Sequence, residues 1–545
     1  MIFTDTPGAN KDKYMSVTRY YKDPKVVLLQ NVNGGDAAVL TNKDSHASRV
    51  FKLNSIGAEI ISMLARPRTR EELIAALSEK YPGQAAAITS DVPAYLEQLC
   101  AGRLLKTTEE KARCILLVYP FSRKKEFTEP VPPLGLLLLA ESLQKAGHSV
   151  EIYDFQLPGA SMRDFFARLE QIRYDAVGFS VNTVNAHEAV MLAGAVKLSS
   201  PDTKIIFGGP HVTFEYARLL ADHPQIDLAV LGEAENSIAP ALDYLFSDFT
   251  GDAPPGTAHM ARSLLVKGEG VPPPVDLDSL GLLDLSRVVN LRHHRDYPAY
   301  PLMTSRGCPF NCAYCASPAF WGRTYRRRDL ESVMREVRQA KERYGYQVFK
   351  LEDDTITADR KRLMEFCRAI KHEGVRWVAL SRVEAIDQET VTAMRASGCY
   401  AVFTGIESLD VKVLETIHKS RNLSAQELEE RVDLCVKAGM RVDLSFILGL
   451  PGETTATAAG MLEFCRRIKS RYSNTVSTTF NFITMFPGTE LSRRASELGY
   501  SRVSIDRTES LIGPTWASPT MSAGDMWRVF TTNLLNYSEL KYATK

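Results

Sequence analysis

The sequence predicts a multidomain α/β protein. Short, continuous apolar runs alternate with helix-period segments over most of the chain, as strands buried on both faces of a parallel sheet require. That alternation is interrupted once, by a stretch rich in Pro and Gly at 251–284. A triplet of cysteines directly follows one of the later runs.

The elements follow in order. Residues 1–108 read as a small α+β module, winged-helix-like in its succession of elements. The runs "KVVLLQNV" and "AAVLTN" are separated by "NGGD", a hairpin signal. The segments "SIGAEIISMLA", "TREELIAALSEKY" and "ITSDVPAYLEQLCAGRLL" then carry apolar residues at helical spacing. Residues 109–250 repeat strand, loop and helix through "CILLVYP", "SVEIYDF", "DAVGFSVNTV", "TKIIFGGP" and "LAVLGEAE", a doubly wound sheet. Residues 251–284, with "TGDAPPGTAH" and "GVPPPVDLD", read as a linker. Residues 285–500 hold six further runs, from "YPLMTSRG" to "STTFNFITMFPGT", with polar residues at their ends. That arrangement predicts an incomplete β/α barrel with its site at the carboxyl rim. Residues 501–545 form a helical extension whose Trp516 and Trp527 read as packing residues.

Composition excludes several classes. A net charge of +1 gives neither nucleic acid nor a membrane surface a field to steer it. No uninterrupted apolar run reaches spanning length and the start lacks a signal pattern, so a cytoplasmic protein is expected. Nine cysteines, an odd number spread thinly, predict free thiols rather than a disulfide framework.

Cys308, Cys312 and Cys315 lie within "TSRGCPFNCAYC" at spacing C-x3-C-x2-C. Three thiolates are one short of the four that close an iron-sulfur or structural zinc site, so an iron or zinc bound there keeps an open position. A zinc site completed by His293 or His294 is the alternative, although structural zinc ligands come in pairs from two loops and no second pair is present.

This motif at the end of a first barrel strand resembles the radical S-adenosylmethionine (SAM) superfamily, whose barrel is a partial (β/α)6 TIM barrel. The resemblance implies that the three cysteines bind a [4Fe-4S] cluster and that SAM chelates the fourth iron. It further implies reductive cleavage of SAM to a 5′-deoxyadenosyl radical. By the same resemblance Tyr314 lies near the adenine, and Glu352 or Asp353 of "KLEDD" holds the methionine amine. Ser381 and Arg382 of "ALSRVEAI" lie near the methionine carboxylate, Glu407 and Ser408 of "GIES" contact the ribose, and Ile447 of "FILGLPGE" shapes the adenine pocket.

The doubly wound region resembles the Rossmann-like cobalamin-binding domains fused to such barrels. The quoted segments are "PPLGLLLLAESLQKAGHSVEIYDF", "FSVNTVN", "FGGPHVT" and "VLGEAE". The resemblance implies that Leu134, Gly135, Ser180, Asn182, Thr183, Gly208, Gly209, Pro210, Gly232 and Glu233 bind cobalamin, with Ser180 and Thr183 at its nucleotide tail. The loop after the first strand, "YPFSRKKEFTEPVPPLG", lacks the D-x-H-x-x-G motif, so the resemblance implies no histidine beneath cobalt. His211 reads as a polar turn residue. The first module resembles the PqqD-like peptide-recognition family. Together these resemblances imply a cobalamin-dependent C-methyltransferase that uses methylcobalamin on a ribosomally made precursor, with a leader peptide and a flavodoxin or ferredoxin-type electron donor as partners. Cyclisation or rearrangement without net methyl transfer, a small-metabolite substrate, and a non-enzymatic cobalamin-sensing regulator are the rival readings.

Overall fold

The computed structural model describes residues 17–22, 26–32, 35–41, 48–53, 55–64, 68–101, 104–110, 112–121, 130–419, 423–472, 475–503 and 513–542. The chain divides into two compact units, one of 1–113 with 147–149 and one holding the remainder.

In the first unit, strands Val26–Val32, Gly35–Thr41 and Ser48–Leu53 form an antiparallel sheet in chain order. A second sheet sets Val17–Lys22 between Arg68–Thr69 and Leu105–Glu110. Helices Ser55–Met63, Arg70–Lys80 and Ala85–Ala101 bury Ile60, Ile61, Leu73, Leu77, Val92 and Leu96 in one core. Thr69 starts the middle helix with a capping box, its hydroxyl accepting the Glu72 N–H while the Glu72 carboxylate accepts the Thr69 N–H.

The second unit opens with a seven-stranded sheet. Its order is Leu264–Lys267, Thr257–Ala261, Leu228–Val230, Lys204–Gly208, Ala176–Ser180, Cys114–Tyr119, Ser149–Asp154. Alternate residues of the Cys114–Tyr119 strand explain why it reads as continuously apolar: Ile115 and Leu117 enter one core, Leu116 and Val118 the other. The former core continues without a break into the barrel through Tyr297, Tyr300 and Leu302.

The expected linker needs correction. Thr257–Ala261 and Leu264–Lys267 within 251–284 make an antiparallel hairpin that extends the sheet edge. Beyond it Val275, Leu277, Leu280 and Leu283 are buried in the shared core. Proline and glycine there shape tight turns and a packed strap, because the intervening apolar residues have a surface to cover.

Six strands, Tyr300–Leu302, Val348–Leu351, Arg376–Ser381, Cys399–Glu407, Arg441–Leu448 and Val476–Phe482, pair in that order and in parallel. They form the incomplete barrel. A buried pair, Arg328 and Glu336 at 2.5 Å, fixes the end of the cysteine loop to the helix Leu330–Tyr344. The Tyr300 hydroxyl donates to the same carboxylate at 2.8 Å. Helix Ala523–Tyr542 of the C-terminal extension buries Met526 and Val529 against the barrel. Trp527 packs on Phe482 and stays 40% exposed.

Candidate functional site

The cysteine loop is pinched at its base. Ser305–Arg306 pairs antiparallel with Arg326–Arg327, so the chain leaves the first barrel strand and returns beside itself. Gly307 has φ 91°, and a Cβ there would stand 2.1 Å from the Thr324 carbonyl oxygen, so only glycine closes this hairpin. Its N–H donates to Asp354 at 3.1 Å, tying the loop to the end of the second strand.

Cys308, Cys312 and Cys315 are free and half-buried on that loop. Burial pushes the Cys315 thiol up to about 12, and the neighbouring Cys312 and Cys308 push it the same way. Burial likewise raises Cys308, with Cys312 adding to it. Such crowding favours thiolates only when a cationic group absorbs their charge. The Arg382 guanidinium approaches the Cys312 sulfur at 3.7 Å and lies 4.0 Å over the Phe310 ring. Among the described residues no three His, Cys, Asp or Glu side chains gather around a single metal ion. Three thiols on one loop match the donor count of a cluster that leaves one iron open to a cosubstrate. The alternative with His293 or His294 fails on position: the His294 carbonyl accepts from Tyr346, which precedes the second strand, at the barrel end away from the loop.

The strand ends around the loop sort the other expected residues. Tyr314 donates to Glu407 at 2.7 Å, and Lys419 bonds the same carboxylate oxygen at 3.0 Å. Glu407 sits at φ 68° beside a register shift, and a Cβ on Gly405 would lie 2.1 Å from its carboxylate. A buried, non-glycine residue held in left-handed conformation marks a place where position outweighs backbone comfort. Ser408 accepts the Asp410 N–H at 3.2 Å. Ile447 packs in the same cluster as Tyr314. Ser381 is buried, and its hydroxyl reaches Thr357.

Asp353 requires a correction. It is 1% exposed and accepts from the Thr304 N–H at 2.7 Å, the Thr304 hydroxyl at 2.6 Å and the Ser305 hydroxyl. A carboxylate so enclosed is a strut between the first two strand ends, and burial raises its pKa. Glu352, paired with Lys350 at 2.9 Å, and Asp354, which accepts the Gly307 N–H, are the carboxylates of "KLEDD" that stay partly exposed. Sequence reasoning missed Lys419 and Glu384. Glu384 pairs with Arg382 at 3.2 Å and keeps its other carboxylate oxygen buried without a hydrogen-bond partner. Glu384 lines a narrow cleft with Ile406, Ser408, Leu414 and Lys419. A buried acceptor left without a donor fits a cosubstrate that brings an amino group.

A second cavity, of about 240 Å³, lies at the carboxyl ends of the sheet strands. It sits where the strand order reverses around Cys114–Tyr119, the usual ligand crevice of such sheets. Gly135, Ser180, Gly208, Gly209, Pro210, Gly232 and Glu233 line it. A Cβ on Gly135 or Gly232 would meet nothing within 4 Å, so the wall is bare backbone open to a bulky group. Gly209 has φ 108°, and its Cβ would stand 2.6 Å from the Val181 oxygen. These features fit a corrin.

Leu134, Asn182 and Thr183 are not among its lining residues. Asn182 accepts the backbone N–H groups of Val184 and Asn185, which makes it a turn-builder. Thr183 bonds the buried His211, whose imidazole burial lowers to about 4.

Arg306, Phe320 and Trp321 of the cysteine hairpin complete the opposite wall. Arg306 reaches Glu233 at 3.3 Å and Glu235 at 2.5 Å, while Arg326 also pairs with Glu233. Glu233 therefore joins sheet to hairpin as well as lining the cavity. Arg306 was legible only as the neighbour of a motif, two residues before Cys308.

This geometry defines a class: one crevice built for a flat cofactor, walled on one side by a loop built for a cluster. Comparison with known proteins agrees. Residues 124–242 match the family model described as B12 binding domain, 302–465 the Radical SAM superfamily, and 36–105 Coenzyme PQQ synthesis protein D. The chain is 30% identical over 387 residues to an uncharacterized methyltransferase of Pyrococcus horikoshii, covering 70% of this chain and 83% of that protein. It is 27% identical over 455 residues to the cytidylyl-2-hydroxyethylphosphonate methyltransferase of Streptomyces wedmorensis, covering 72% and 83%. The solved structure of the radical S-adenosylmethionine methyltransferase TsrM from Kitasatospora setae, with tryptophan substrate and a SAM analog bound, shares the fold. Its TM-score is 0.63 at 17% identity, over 77% of this chain and 89% of that one.

The chain belongs to the cobalamin-binding radical SAM methyltransferase family and carries a PqqD-like domain at its N-terminal end. Its cofactors are cobalamin, a [4Fe-4S] cluster and SAM. Among the described residues no helix is long and apolar enough to cross a membrane.

One prediction arises here. Gly232→Leu places a side chain in the open space of the crevice at φ 71°. Overpacking of about 1–3 kcal/mol should weaken cobalamin binding by roughly ten- to a hundredfold. Cobalamin content measured by absorbance, against an unchanged iron content, checks it.

Proposed function

We propose that this enzyme methylates an unactivated carbon of a ribosomally synthesised precursor peptide, in the cytoplasm, with electrons from a flavodoxin or ferredoxin-type protein. The observation that carries the reading is the shared wall. Arg306, Phe320 and Trp321 belong to the hairpin that bears the three cysteines and also close the glycine-lined crevice. When bound, the cluster supplies the electron that cleaves SAM, and cobalamin supplies the methyl group.

Cys308, Cys312 and Cys315 would hold the cluster, and Arg382 places a fixed positive charge beside them. Glu384, Glu407, Ser408, Tyr314 and Lys419 would hold SAM, with Glu352 for its amine and Ile447 against the adenine. Phe320 and Trp321 pack edge to face at 4.6 Å and keep water from the seam.

The peptide reading is supported by the first unit. Val26–Val32 lies at the edge of its sheet, and Ser55–Met63 packs against that sheet. An extended leader adds to such an edge by main-chain hydrogen bonds. A small metabolite is the competing substrate, favoured by the substrate named for the Streptomyces relative.

Anaerobic reaction with the short peptides encoded beside this chain, followed by mass spectrometry, tests the proposal. A gain of one methylene per event supports it. An unchanged mass or a loss of two hydrogens indicates rearrangement or cyclisation and overturns methyl transfer. Turnover of small amides with none of any peptide overturns the peptide substrate.

A further inference from the structure

The concave face of the barrel carries a rung of side chains that neither cofactor site uses. On the fifth and sixth strands, Val442, Leu444, Phe446, Val476, Phe480 and Phe482 enter the core shared with the helices. The alternate residues Asp443, Ser445, Ile447, Ser477, Thr479 and Asn481 therefore face the interior of the half barrel. Parallel register places Leu380, Phe403, Asp443 and Ser477 side by side across four strands.

This rung is half apolar and half polar, with a single carboxylate. Leu380 is 46% exposed and Phe403 41%, although both stand on interior strands of a barrel. Asp443 accepts the Ser477 hydroxyl at 2.5 Å and the Thr479 hydroxyl at 3.2 Å on one oxygen. Among the described residues its other oxygen has only the Thr479 contact at 3.4 Å. No lysine or arginine among the described residues forms an ion pair with Asp443. Burial raises its pKa, and the two hydroxyls oppose that only in part. A carboxylate accepts about four hydrogen bonds, so acceptor capacity is left over. Two residues further along, Ser445 and Asn481 bond each other at 2.9 Å. One more step along that strand is Ile447, beside Tyr314. The rung thus lies about 13 Å below the SAM side of the barrel, at roughly 6.6 Å per pair of residues.

We propose that Asp443 determines substrate class: it accepts an amide or amine N–H of an aminoacyl unit whose apolar side chain covers Leu380 and Phe403. Two independent needs point to one occupant. The apolar pair lacks cover, and the carboxylate lacks a donor of positive or N–H character. A polypeptide segment offers both at adjacent positions, whereas a phosphate- or carboxylate-rich molecule would meet an uncompensated like charge. The inference rests on the barrel interior being the reaction space of the methyltransferase, and it narrows that substrate to N–H-bearing compounds.

Equilibrium dialysis of the anaerobically loaded full chain with leucinamide and with isocaproate tests it. The two share an apolar branch and differ in the group presented to Asp443. Leucinamide is expected to bind about tenfold more tightly, and Asp443→Asn to abolish most of that ratio. Leu380→Ala should weaken both ligands alike. Cobalamin and iron contents equal to those of the unmodified enzyme show that each variant is folded and loaded. Equal binding of the two probes, tighter isocaproate, or a ratio untouched by Asp443→Asn would overturn the proposal. The measurement is independent of product mass, so an intact ratio with no methylated peptide faults the methylation reading, and the converse faults this one.

Discussion

Cys312→Ala is expected to yield a folded protein that takes up cobalamin, contains little iron or sulfide after reconstitution, and forms no 5′-deoxyadenosine from SAM. The reason lies in the donor count. The loop offers three thiols, and two cannot hold a cluster that already leaves one iron for its cosubstrate. Removing this thiol also takes from Arg382 its contact with the Cys312 sulfur and leaves its pair with Glu384 at 3.2 Å. Cys435→Ala is the control. Cys435 is 1% exposed in the barrel core, its thiol pushed up to about 12 by burial, so it loses packing and no cofactor. Iron and sulfide assays with chromatography of the nucleoside check both outcomes. Iron retained by Cys312→Ala at the level of the unmodified chain would remove Cys312 from the ligand set.

Arg306→Met should destabilise the second unit by about 3–5 kcal/mol, the range for removing one partner of a buried charge cluster. Arg306 is 8% exposed, as are its carboxylates at 13% for Glu233 and 7% for Glu235. Arg326 still pairs with Glu233, whereas Glu235 loses its guanidinium. Because this cluster joins the crevice wall to the cysteine hairpin, cobalamin and iron contents should fall together. A chemical melt of the loaded protein with both assays checks it. Loss of cobalamin alone at unchanged stability would show that Arg306 serves only the crevice.

How much of this could be read from the chain follows from where each signal resides. The cysteine spacing is local, so the loop proposed to hold the cluster is legible in the chain. Glycine positions in "FGGP" and "VLGE" marked the crevice for a similar reason, since backbone exposed to a large group must dispense with Cβ. Carboxylates were harder. "KLEDD" offers three in a row, and only packing separates Asp353, spent on Thr304 and Ser305, from Glu352 and from Asp354 at the hairpin. Lys419 carries no spacing signal at all; it meets Glu407 because a short helix, Val411–Thr416, turns the chain back. The strap at 251–284 misled for a different reason. Proline and glycine report turns, and whether a turn-rich segment is free or packed depends on the surface beside it. The rung of Leu380, Phe403, Asp443 and Ser477 exists only through register across four strands.

The coproducts of SAM provide the most direct test of the central claim, that one hairpin serves both a radical-forming cluster and a methyl-carrying corrin. With the enzyme loaded anaerobically, reduced and given the proposed peptide substrate, 5′-deoxyadenosine and S-adenosylhomocysteine should accumulate in equal amounts, each matching the methylated product. S-adenosylhomocysteine without 5′-deoxyadenosine, or 5′-deoxyadenosine without methylated product, would contradict the account.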